Sequence, residues 1–141
     1  MIIAIVGGLS PKVEDVAAEL SKAFGSRAQT LNLTHHGAPE RLRLIQMHLR
    51  RAAHFKTSCL DVVIGPQSEA EMEEIRVRGG HVLHVYQPAL SRVYDEVKIK
   101  RGDLWVLPAA LCATAPSYVL SSLHAQSECL LRQQKRAAKA A

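Results

Sequence analysis

Gly7, Gly8, Ser10 and Lys12 have the types and spacing to hold an anion. A glycine pair permits a tight turn, and free backbone N–H groups at the head of a following helix attract negative charge. Lys12 would add a cation within that first helical turn. A second set lies between Glu40 and Phe55, where Arg41, Arg43, Arg50 and Arg51 stand close to His54. Arg43 and Arg50 are seven apart and share a helical face, a spacing that suits a phosphate or a nucleic-acid backbone. A solvated amphipathic face explains the same arginines equally well.

Other chemistry is thinly supplied. His35 and His36 have no acid or cysteine at metal-ligand spacing, and His81 and His84 would point to opposite faces of a strand. No G-x-S-x-G motif occurs, and no Cys-His pair stands in a nucleophile context. Cys59 heads an apolar strand and reads as core, while Asp61 reads as a strand-end surface acid or as a buried acid facing the nucleotide end. No catalytic residue and no metal ligand set is assigned.

The elements that must position these residues follow from the apolar pattern. Met1 to Val6 is an apolar run bounded by Gly7-Gly8, as expected of a strand buried on both faces. Ser10-Pro11 signals a helix start, with Ser10 as N-cap and Pro11 at the first helical position, and Val13, Val16, Ala17, Leu20 and Phe24 recur at helical spacing. Residues 28–33, 59–64, 81–86 and 104–107 read as further strands, the last of them terminal. Helices are expected from Pro39 or Glu40 to Phe55, from Ser68 to Arg78 and from Pro116 to Lys135. Ser68 and Glu71 fit a capping box, and Gly79-Gly80 a left-handed stop. The long last helix carries Val119, Leu120, Leu123, Leu130 and Leu131 as its apolar stripe, and residues 88–96 remain ambiguous. Strands alternating with helices imply a three-layer α/β sandwich with a mostly parallel sheet.

The 141 residues suit one domain, without a linker or repeat. No apolar run reaches the roughly 18 residues of a membrane span, and no basic segment precedes the first strand as in a signal peptide. Cys59, Cys112 and Cys129 are odd in number and widely spaced, which suits free thiols in a reducing cytoplasm. The formal charge of +5 is concentrated in the tail: without Arg132, Lys135, Arg136 and Lys139 the chain holds 14 basic and 13 acidic residues. That tail suits nucleic acid, an acidic partner, or a frayed and solvated helix end.

From Asp61 to Val85 the pattern becomes more specific. Val62-Val63-Ile64, Glu69-Ala70, Ile75-Arg76, Gly79-Gly80 and a following apolar strand occur in the order in which this segment resembles the phage-type deoxynucleoside monophosphate kinases. Upstream, Pro39-Glu-Arg41-Leu-Arg-Leu-Ile-Gln46 is similar to that family's Pro-Arg-x-Leu-Leu-Gln segment, with the spacing slightly changed. The resemblance covers residues 1–88 and implies a P-loop kinase fold, ATP and magnesium as cofactors, and Arg41 as a partner of the monophosphate.

This chain departs from that family where the chemistry lies. Gly7-Gly8-Leu9 is too short to wrap phosphates as G-x-x-x-x-G-K-[ST] does, and Val13 follows Lys12 where a magnesium-binding hydroxyl belongs. After Ile64 the chain has Gly65-Pro66-Gln67, where the family carries an Asp and an Arg. Phosphoryl transfer depends on positioned cations, so their loss removes most of the catalyst.

Three functional expectations result. The leading one is a non-catalytic accessory protein on a degenerate kinase scaffold, in the host cytoplasm if phage-borne, acting through a protein partner bound by the C-terminal helix or the arginine-rich face, or through a second copy bound by the C-terminal helix. The second is a divergent nucleotide-binding protein or kinase using Gly7, Gly8, Ser10, Lys12, Arg41, Arg43 and Arg50. The third is a nucleic-acid module using the arginine helix and the basic tail.

Overall fold

The computed structural model describes residues 1–8, 10–51 and 58–140. In chain order the main elements are β1 (Ile2–Val6), α1 (Ser10–Lys22), β2 (Ala28–Asn32), α2 (Ala38–Arg51), β3 (Leu60–Ile64), α3 (Glu69–Val77), β4 (His81–Val85), β5 (Leu104–Leu107), β6 (Val119–Ser121) and α4 (Ser122–Ala140). Every strand pairing is parallel, in the order β2-β3-β1-β4-β5-β6. The architecture is a three-layer α/β sandwich of P-loop kinase type, as the alternating pattern implies.

β1 is buried along its whole length, and its alternation divides the core. Ile3 and Ile5 pack with Val16 and Leu20 of α1 and with Ala125 and Cys129 of α4. Ile2 and Ala4 face the other way, onto Ile45 and Leu49 of α2 and Ile75 of α3. Val6 joins Met72, Val82 and Val97 in a third, smaller cluster.

Local signals at α3 are met closely. The Ser68 hydroxyl caps the helix by accepting from Glu71 N at 3.2 Å. The helix closes with Gly79 N donating to Arg76 O and Gly80 N to Ile75 O, with Gly79 at φ +80°. α1 begins at Ser10 itself, one residue earlier than the cap assignment implies, and Leu9 lies outside the described residues. The expected continuation of α2 to Phe55, with His54, also lies outside them.

The C-terminal region differs from expectation. Val119–Ser121 is a sixth strand on β5, so the last helix starts at Ser122 rather than Pro116, and 104–107 is not the terminal strand. β-branched Val119 suits a strand, and its pairing with Trp105 is a non-local interaction that periodicity does not register. The buried residues of α4 are Ser122, Ala125, Gln126, Cys129 and Gln133, not a leucine stripe. Small side chains let the helix approach the sheet, and Gln126 Nε2 donates to Leu20 O at 2.7 Å. Leu130 packs partly on the core, while Leu123 and Leu131 are each 52% exposed.

His81 links the sheet to α4, its Nε2 lying 3.2 Å from Gln133 Oε1. Burial lowers its pKa from 6.5 to about 4; the Gln133 bond opposes the shift, and Arg136 and Arg132 reinforce it. Between these values the unfolded chain takes the proton more readily than the folded one, so acid favours unfolding. We predict stability that is full above pH 6.5 and falls by about 2–3 kcal/mol as pH drops to 4 through this group. Urea unfolding across that range should show a shallower slope for His81→Gln; an identical slope would contradict the assignment.

Candidate functional site

The strand order places β3 on one side of β1 and β4 on the other. Successive connections leave β1 and β3 for opposite faces, which opens a crevice beyond the carboxyl ends of the strands. A cleft of about 770 Å³ lies there. Gly7, Gly8, Ser10 and Glu14 form one wall; Asn32, Thr34 and His35 follow β2, and Gly65-Pro66-Gln67 follow β3. Ser91, Arg92, Val93 and Glu96, around a single 3-10 turn (Arg92–Asp95), complete it.

Close packing explains the glycine turn. Gly7 and Gly8 have φ of +74° and +80°, where a side chain is strained. An added Cβ at Gly8 would also lie 2.6 Å from Val85 Cγ1, and one at Gly7 would lie 2.8 Å from the Tyr94 hydroxyl. Asn32 Oδ1 orders the next loop by accepting from Thr34 N at 3.0 Å and Thr34 Oγ1 at 2.7 Å.

The residues expected to bind phosphate divide into two groups. Gly7, Gly8 and Ser10 line the cleft; Lys12, Arg41, Arg43 and Arg50 do not. Arg43 is exposed and pairs with Glu40 on its own helix, its Nε donating to Oε2 at 3.0 Å, and Arg50 is exposed.

Arg41 is 8% exposed and turned inward. Its Nε donates to Glu71 Oε1 at 2.8 Å, its Nη2 to Glu71 Oε2 at 3.3 Å, and its Nη1 to His36 O at 2.9 Å. Glu71 also accepts from Ser68 Oγ at 2.5 Å and Gln67 N at 3.3 Å. The pair therefore ties the loop after β2 to the loop after β3, and the cleft lies between them. Arg41 acts as a brace for that wall, with three of its five N–H donors engaged by protein.

Other sequence readings change with burial. Asp61 is a buried acid, but it lies near the amino end of β3, opposite the cleft, with Oδ1 3.1 Å from His48 Nε2. His81 and His84 do point to opposite faces. Burial raises the Cys129 thiol to about 12, in keeping with an inert core cysteine. Arg132 Nη1 and Arg136 Nη1 donate to Gly102 O and Gly79 O, so two of the four tail cations brace glycine turns.

Arg92 was not signalled by the sequence, being a lone arginine in a stretch without periodicity. It is the cation on the cleft among the described residues, set against the carboxylates of Glu14 and Glu96. The fit to ATP and magnesium is poor. The turn is too short to enclose a β-phosphate, Lys12 is off the cleft, and two carboxylates would face three or four phosphate charges. The arrangement can hold one anionic group beside polar functions.

Comparisons with protein-family models, with curated proteins and with solved structures return no match.

Because Glu71 is 1% exposed, removing its partner leaves a buried carboxylate without its cation. Arg41→Ala should therefore cost about 3 kcal/mol or more in urea unfolding. A loss below about 1 kcal/mol would show that the brace is unimportant. Gly8→Ala should destabilise strongly as well, through both φ and the Val85 contact; wild-type stability would contradict that reading of the turn.

Proposed function

We propose that this protein is a non-catalytic binding protein on a scaffold like that of the nucleoside monophosphate kinases, and that its cleft takes a nucleoside monophosphate or a closely similar ligand with one anionic group. One observation carries this reading: the left-handed Gly7-Gly8 turn, the head of α1 and Arg92 line one cleft at the strand-order switch. Turn, helix head and guanidinium together suit one phosphate. Glu14 and Glu96 oppose additional negative charge and can accept from ligand hydroxyl or amino groups. Asn32, Thr34 and Gln67 extend the polar lining. Phosphoryl transfer is not supported, since the residues that would stabilise its charge are replaced or lie off the cleft.

A second reading, a protein partner on the outer face of α4, is favoured by the exposure of Leu123 and Leu131. Both readings agree with an accessory role without catalysis.

Calorimetric titration at low salt tests the ligand class. Adenosine and deoxynucleoside monophosphates should bind with Kd on the order of 10–100 μM, tighter than ATP with magnesium. Arg92→Ala should weaken the monophosphate about tenfold. Tighter binding of ATP, or magnesium-dependent phosphate transfer to a deoxynucleotide, would contradict the proposal.

A further inference from the structure

The wall that carries Arg92 contains no long helix, so its position must come from side-chain anchors. Val97 is one, buried with Val6, Met72 and Val82. Tyr94 is the other. Its ring is tilted against His84 and Trp105, at centroid distances of 5.5 and 6.4 Å. Its hydroxyl lies 2.9 Å from His84 Nδ1, and His84 Nε2 lies 2.7 Å from Asp103 Oδ2. Asp103 Oδ2 also accepts from Arg76 Nη2 at 2.7 Å and from Lys100 N at 3.0 Å.

The direction of these bonds can be read from their ends. Burial pushes the Asp103 carboxyl upward, but the bonds from His84 Nε2 and Lys100 N and the charge of Arg76 outweigh it and hold the pKa below its ordinary value. Asp103 is therefore an acceptor, and His84 Nε2 carries a proton toward it. With Nε2–H directed at Asp103, Nδ1 is the ring nitrogen left to accept, and the Tyr94 hydroxyl donates to it. Burial and the Asp103 charge raise the Tyr94 pKa, so the hydroxyl keeps the proton that it donates.

Tyr94 also touches the opposite wall, since an added Cβ at Gly7 would fall 2.8 Å from its hydroxyl. One side chain thus contacts the glycine turn and belongs to the 3-10 turn that bears Arg92. Arg92 is exposed and has no hydrogen bond or ion pair of its own among the described residues, so its place depends on that turn.

We infer that Tyr94, held by His84 and Asp103, is a positioning residue that sets Arg92 at the correct separation from the Gly7-Gly8 turn for an anionic group between them. This rests on the binding reading proposed above.

A double-mutant cycle on the full chain tests it, with adenosine monophosphate as the probe. Tyr94→Phe keeps the ring but removes the donor, and should weaken binding about five- to tenfold. Because Tyr94 acts through Arg92, the double variant with Arg92→Ala should bind no more weakly than Arg92→Ala alone. His84→Gln leaves Tyr94 whole while breaking its link to Asp103; it should show the same non-additivity and serves if Tyr94→Phe does not fold. A purely structural role would lower the melting temperature and leave affinity unchanged. Wild-type affinity in folded Tyr94→Phe, or effects that multiply with those of Arg92→Ala, would overturn the inference and leave the binding reading intact. If the wild-type protein binds no monophosphate, both fall.

Discussion

The structure depends on one constraint: β1 lies inside the sheet and is buried on both faces. A strand so placed needs apolar side chains in both directions, which Ile2 to Val6 supply. The chain must then leave it abruptly for α1, and the Gly7-Gly8 turn does so at positive φ against Val85 and Tyr94. Because the chain goes from β1 out to edge strand β2, returns to β3 beside β1 and then crosses to β4, β5 and β6 on the other side, the cleft opens at the end of β1. Packing and cleft have the same cause.

Two polar hubs hold the rim. Glu71 gathers Arg41, Ser68 and Gln67 on the β2–β3 side. Asp103 gathers His84, Arg76 and Lys100 beyond β4. Each places a carboxylate where desolvation is costly and surrounds it with donors, so removal of one partner costs more than the pair contributes net. Such networks specify loop geometry more than they add stability.

Much of this was legible in the sequence. Apolar runs ended by Gly-Gly or Gly-Pro marked β1 and β3, and the Ser68–Glu71 capping box with Gly79-Gly80 marked α3, because burial, capping and glycine conformation are local signals. β6 was not legible: Val119-Leu-Ser is a strand only because β5 lies beside it, and its residues continue a helical spacing into α4. Arg41 was assigned to a ligand because its partner, Glu71, lies on another helix thirty residues away. Arg92 and Tyr94 went unread because residues 88–97 have no periodicity, and their roles arise only when His84, Asp103 and Gly7 come together.

If the cleft at the end of β1 is the functional centre, a nucleoside monophosphate must perturb its walls and little else. The most direct measurement is an amide chemical-shift titration of the isotopically labelled protein with a nucleoside monophosphate. Saturable shifts concentrated at Gly7, Gly8, Ser10, Thr34 and Arg92 are expected, with little change along the outer face of α4. Shifts confined to α4, or none at saturating ligand, would contradict that role for the cleft.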